Sequence, residues 1–187
     1  MMRTVILPAG LLAGAMAFMP ADAATVDVGF EPLDAGPFRV GDSLSIDIVA
    51  SYTEGDSLIG GYVSLAYDAD VVRLDRVLLN ELITDFAGNA GAIDHDTGSV
   101  DVIGFVTLGE DAKDTFTIAT LRFDAIGAGT GTLTLSETGN SDFGWVNSNV
   151  DTVIPSFTAG SVTVVPLPAT VWLLISGLVL LSLRRRG

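Results

Sequence analysis

The chain has no cysteine among its 187 residues, and that absence removes whole classes of chemistry. Disulfide staples, thiol nucleophiles, iron–sulfur clusters and cysteine-based zinc sites are all excluded. Histidine is nearly missing as well, since His95 is the single one. A Ser-His-Asp triad would have to use it. It sits between Asp94 and Asp96 in a turn-like stretch, and no Gly-x-Ser-x-Gly elbow occurs in the chain. His95 therefore reads as an exposed loop residue. Basic residues are scarce too: residues 24–164 carry 22 acidic side chains against five basic ones, a net charge of −17. So negative a surface repels phosphate backbones, which excludes nucleic acid as a partner.

Long hydrophobic runs are missing from the middle and confined to the two ends. The first 23 residues have Arg3 near the start, an apolar stretch from Val5 to Met19 and the small-x-small triplet Ala21-Asp22-Ala23. This is the three-part pattern of a signal peptide, read by the secretion machinery, with cleavage expected after Ala23. The other end has three parts in order: the Pro-containing pentapeptide Val165-Pro166-Leu167-Pro168-Ala169, an uncharged apolar run from Thr170 to Leu183, and Arg184-Arg185-Arg186 before Gly187. As a helix, 169–183 would span about 22 Å against a hydrocarbon core of about 30 Å, short for a permanent anchor. Trp172 suits the outer interface and the arginines form a membrane stop that holds the far end in the cytoplasm. Pro166 and Pro168 keep the pentapeptide extended and accessible.

Between the ends the chain reads as many short strands. Val26, Val28 and Phe30 alternate with polar neighbours, as do Leu44, Ile46 and Ile48, and Leu133 and Leu135. Further runs hold Val100, Val102 and Phe105, then Phe116, Ile118, Leu121 and Phe123, and finally Val162 and Val164. Period-two alternation of β-branched and aromatic residues marks half-buried strands. Glycine-rich turns such as Gly41-Asp42, Thr97-Gly98 and Gly127-Ala128-Gly129 separate them. One segment, Leu78 to Phe86, has the pattern of a helical turn or two. The expected architecture is all-β, an antiparallel sandwich or jelly roll over about 25–164. Its interior is expected to hold Ile46, Ile48, Leu65, Tyr67, Leu121, Phe123, Leu133 and Leu135.

Candidate sites in this middle region are few. Asp94-His95-Asp96-Thr97-Gly98 could give a calcium ion some of its oxygen ligands through Asp94 and Asp96. A twelve-residue calcium loop opening at Asp94 would end at Phe105, where a carboxylate belongs. The plainer reading is a hairpin turn whose aspartates bond local backbone. No catalytic residue and no cofactor is assigned. Trp145, in the polar stretch 140–149, reads as a partly buried loop anchor, with a sugar-stacking platform as the alternative.

Two resemblances add to this. The tail, VPLPA followed by a hydrophobic segment and arginines, resembles the PEP-CTERM family of sorting signals in its VPLPA variant. That likeness implies an exosortase-like enzyme that cuts near Val165–Ala169 while the precursor is held in the membrane. Leu167 stands where the better-known form of the signal carries Glu. In the middle, four patterns in order resemble a cohesin domain: Phe38-Arg39-Val40-Gly41-Asp42 leading into a strand, Gly60 to Leu74 with Tyr67-Asp68, Val71 and Leu74, Thr120 to Ala125 before a glycine turn, and Gly131 to Leu135. This likeness implies a jelly roll of about nine strands with a flat face for protein binding. The expectation is an exported surface or extracellular-matrix protein divided as signal 1–23, cohesin-like domain 24–164 and sorting tail 165–187, with a protein or polysaccharide ligand and no enzymatic activity. A secreted carboxylate-dependent hydrolase and an uncleaved single-pass membrane protein are the alternatives.

Overall fold

A computed structural model describes residues 24–137 and 144–167. The expected signal peptide, apolar tail segment and arginine end lie outside the described residues. Twelve strands follow one another: β1 (Thr25–Glu31), β2 (Asp34–Arg39), β3 (Ser43–Tyr52), β4 (Leu58–Tyr67), β5 (Val72–Leu79) and β6 (Ala87–Asp94). Then come β7 (Ser99–Val106), β8 (Asp114–Ala125), β9 (Gly129–Ser136), β10 (Trp145–Asn147), β11 (Thr152–Phe157) and β12 (Gly160–Val165).

These strands form a sandwich. One layer, sheet A, runs β11-β1-β3-β8-β5. In the other, sheet B, β6 pairs with β7 and β7 with β4. The far edge of β4 is shared, β10 lying along its first half and β9 along its second, and β9 leads on to β12 and β2. Strand β11 belongs to both layers. Val153 pairs with Trp145 in sheet B, and from Ile154 onward the strand pairs with β1 in sheet A. Pro37 lies in β2, whose one strand partner is β12, an edge position where the missing N–H costs no ladder bond.

The alternation seen in the sequence is the burial pattern. All eight residues expected inside are buried, none above 6% exposed. The layers meet through aromatic edges: Tyr67 on β4 meets Phe123 on β8 with ring centroids 5.5 Å apart, and Phe105 on β7 meets Phe116 on β8 at 5.7 Å. Such T-shaped pairs set the positive ring edge on the negative face.

Three expectations need correction. Among the described residues the strands number twelve rather than about nine, and β2, β10 and β11 are short pieces with weak alternation. Leu78 and Leu79 end β5, and 80–86 is a turn rather than a helix. Asn80 organises that turn: its Nδ2 donates to the Thr117 carbonyl (2.8 Å), and its Oδ1 accepts from the Leu82 N–H (3.1 Å). Local side-chain bonds of this kind compete with helix. Trp145 is a core residue, 1% exposed, rather than a partly buried loop anchor or a sugar platform.

Candidate docking face

The outer surface of sheet B is made by the residues that alternate with the core. Strand β9 contributes Thr130, Thr132, Thr134 and Ser136. The register sets Ser136 opposite Ser64 and Thr134 opposite Ala66 on β4, and Ala66 opposite Ser99 on β7. The result is a flat, hydroxyl-bearing plane of small side chains. Its charged members are Asp94 and Asp101, on β6 and β7, and Asp34 and Arg39 on the edge strand β2.

One aromatic ring lies on this plane. Tyr62 leans across onto Gly104 of β7, so closely that a Cβ at Gly104 would meet the ring, 2.6 Å from Cε1. Beside it is a shallow depression of about 140 Å³, lined by Tyr62, Ala87, Gly88, Asn89, Gly104, Phe105 and Val106. Gly104 makes room for the Tyr62 ring, and Gly88 for the side chains of Leu79 and Thr84.

At one end of this face stand three large apolar side chains in water. Leu82 and Phe86 are each 67% exposed and Leu108 is 75% exposed. Ala87 pairs with Val106, which brings the start of β6 against the end of β7. Asp85 ties the two loops together by accepting from the Leu108 N–H at 3.2 Å. Its carboxyl is held below the usual carboxylate range, chiefly by the Thr107 hydroxyl. Thr107 is fully buried and also accepts from the Gly109 N–H. The loops are held in place while their leucines and phenylalanine point to solvent. The sequence reading missed this trio, because Leu82 and Phe86 were absorbed into an expected helix. Leu108 between Thr107 and Gly109, in a turn-rich stretch, was the available signal.

The residues expected to form a sorting motif begin at the opposite end. Val165 pairs with Arg39 and its carbonyl accepts from the Val40 N–H at 3.3 Å. Leu133 pairs with Tyr67 on one side and Gly160 on the other, and Val164 pairs with Gly129, so β12 starts beside the end of β4 and runs on past it. Leu108 lies beyond Val106, which pairs with Gly60 at the start of β4. Pro166 and Leu167 are exposed past the last strand. Pro168, Ala169, Arg184, Arg185 and Arg186 lie outside the described residues.

Asp94 closes β6, and its Oδ1 accepts from the N–H groups of Asp96 (2.9 Å) and Thr97 (3.2 Å). That is the hairpin-turn geometry of the plainer sequence reading. His95 and Asp96 are exposed in the same turn. Among the described residues no three histidine, aspartate or glutamate side chains are grouped to hold a metal. Among the described residues no helix is long and apolar enough to cross a membrane.

No family model matches the chain, and no curated protein matches it in sequence. Solved structures match it in fold. A cohesin of Clostridium thermocellum, in the Coh-OlpC–Doc435 cohesin–dockerin complex, superposes with a TM-score of 0.63 at 17% identity, covering 80% of this chain and 100% of that one. The cohesin of the Coh-OlpA–Doc918 complex from the same organism gives 0.61 at 9% identity, over 75% and 99%. The sixth cohesin of Acetivibrio cellulolyticus scaffoldin B, in complex with the Cel5 dockerin, gives 0.59 at 15%, over 75% and 99%. The described residues of this chain have the cohesin fold.

Proposed function

We propose that this chain is an exported, non-catalytic binding module that docks a folded protein partner on the outer face of sheet B. The observation that carries the reading is the combination of a flat, hydroxyl-rich plane with Leu82, Phe86 and Leu108 exposed at its end. In a domain of charge −17, β4, β9 and β12 place no charged side chain on this face, and an uncharged centre with exposed apolar side chains at its end is the composition of an interface centre. The cohesins of similar fold were solved bound to dockerin, which supports a protein rather than a small molecule as the ligand here. Display would follow from the two ends: export by residues 1–23, and sorting at Val165–Ala169 by an exosortase-like enzyme. The short exit at Val165 supports that order, since the strand ends and the exposed Pro166-Leu167 begins with no spacer.

Site-specific crosslinking in the native host tests the docking reading. A photoreactive residue at Leu108 or Thr134 should give one discrete adduct, and the same residue at Thr117 on sheet A should not. Adducts from Thr117 alone, or an adduct at Leu108 that survives Phe86→Asp, would place the partner elsewhere.

A further inference from the structure

The loops around Leu82, Phe86 and Leu108 carry charge of almost one sign. Three of them meet at this end: 53–57 between β3 and β4, 80–86 between β5 and β6, and 107–113 between β7 and β8. The Leu58 N–H donates to the Ala112 carbonyl (2.8 Å) and the Thr107 N–H to the Ile59 carbonyl (2.9 Å), while Asp85 joins the second loop to the third. Glu54 and Asp56 lie in the first loop, Glu81 and Asp85 in the second, Glu110 and Asp111 in the third, and Lys113 is their one cation.

That lysine is already matched, with its Nζ 3.7 Å from the Glu110 carboxylate. Asp85 is turned onto the Leu108 N–H and the Thr107 hydroxyl. Glu81 and Asp111 have neither kind of partner. Both are exposed, and among the described residues neither carboxylate joins an ion pair. Glu81 adjoins Leu82 in the chain. The Asp111 carboxylate lies over Gly109, where a Cβ would be 3.4 Å from its Oδ2, so this charge stands beside Leu108. The apolar trio is therefore flanked on two loops by carboxylates that no cation of this chain answers.

We infer, building on the docking reading of sheet B, that the partner is a protein whose contact patch is apolar at its centre and rimmed by lysine or arginine. Leu82, Phe86 and Leu108 meet the centre, and Glu81 and Asp111 meet the rim. An apolar core inside a charged rim is the anatomy of a protein interface, and complementary rim charge steers encounter and selects the partner. The same charges count against the other occupants. A second copy would bring this acidic rim against itself. A lipid surface would draw two unpaired carboxylates toward an apolar layer that penalises them.

The probe is the photoreactive residue at Leu108 in the native host, with the crosslinked peptide sequenced by mass spectrometry. The expected peptide belongs to another protein and holds apolar residues flanked by more lysine and arginine than acid. Glu81→Gln/Asp111→Asn should lower the adduct yield about fivefold, since rim charges act on encounter. Asp27→Asn/Glu31→Gln removes two exposed acids from β1 in the other sheet. It should change the yield less than about twofold, because distant charges are screened. The wild-type yield should also fall when the cells are held at raised salt, a readout that needs no charge variant. An acidic peptide, a peptide of this same chain, a lipid adduct, equal loss in both variant pairs, or a yield indifferent to charge and salt would each overturn the proposal. A discrete protein adduct that is acidic or indifferent to charge leaves the docking reading standing, whereas no adduct at all removes both.

Discussion

The indole of Trp145 lies flat against the backbone of Gly61, where a Cβ would come within 2.5 Å of a ring carbon. The ring's Nε1 donates to the neighbouring Tyr62 carbonyl at 3.1 Å, and its edge meets Phe105 with centroids 6.1 Å apart. One missing methyl therefore seats the largest side chain of the core. Gly61→Ala should overpack this site and cost about 1–3 kcal/mol. Denaturant unfolding measures it, and an unchanged midpoint would show that the indole can shift freely.

Tyr67 has the opposite defect. Its ring is buried against Phe123, yet its buried hydroxyl makes no well-formed hydrogen bond, with the Leu74 backbone close enough to act on it. Burial also pushes its pKa up. Tyr67→Phe removes the orphan and should raise stability by about 1 kcal/mol. A fall in the unfolding midpoint would mean that the hydroxyl is satisfied in solution.

Asp94 should make the domain acid-sensitive in a defined direction. Its carboxyl is held below the usual carboxylate range, first by the Thr97 N–H and then by the Thr97 hydroxyl and the Asp96 N–H. A depressed folded pKa adds stability that is complete above the unfolded value and is lost as pH falls through the folded one. Asp94→Asn keeps the turn's acceptor and removes the charge. It should melt below wild type at neutral pH, and the gap should close below the usual carboxylate range. A gap that persists in acid would assign the loss to geometry instead of charge.

Calcium should leave the melting temperature unchanged at millimolar concentration. A native-state ligand raises it by mass action, and Asp94 already spends one oxygen on two backbone donors. A rise that disappears in Asp94→Asn/Asp96→Asn would establish a cation site in this turn.

Processing of the tail is read from the mass of the mature protein in its native host. The expected product lacks the residues beyond the Val165–Ala169 region. Pro166→Ala/Pro168→Ala should trap a longer, membrane-bound form. Recovery of Arg186 on a membrane-bound mature protein would instead identify a single-pass protein.

How much of this was legible depends on where the alternation is clean. Along β3 and β9 every second residue is apolar, and Ile46, Ile48, Leu133 and Leu135 fall in the core as read. In β8 the phase slips by one between Ile118 and Leu121, and the structure shows the cause. Ile48 pairs with Ala119 and Val49 with Thr117, which leaves Ile118 as the bulged residue. The slip in β7 has a like origin. Val102 takes a φ of 59° in a bulge opposite Ser64, so it is half-buried while Ile103 and Phe105 face inward. Short strands were invisible, because the three residues of β10 cannot show a period; Trp145 looked like a loop residue for that reason. The proposed docking face was the least legible part. Threonines and serines on the outer side of a strand look the same whether they meet water or a partner, and only the register assembles them into one plane.

Strand β12 also decides how the domain would carry a load. It is hydrogen-bonded along both edges, to β9 on one side and β2 on the other. A pull applied at Val165 runs along the strand axis, so both ladders resist in shear and must break nearly together. Hydrogen bonds loaded from the side would instead open one after another, like a zip. With the apolar loops at one end of the sandwich and this strand's exit at the other, tension between a bound partner and the tail would pass lengthwise through the fold, in the direction in which its ladders yield last.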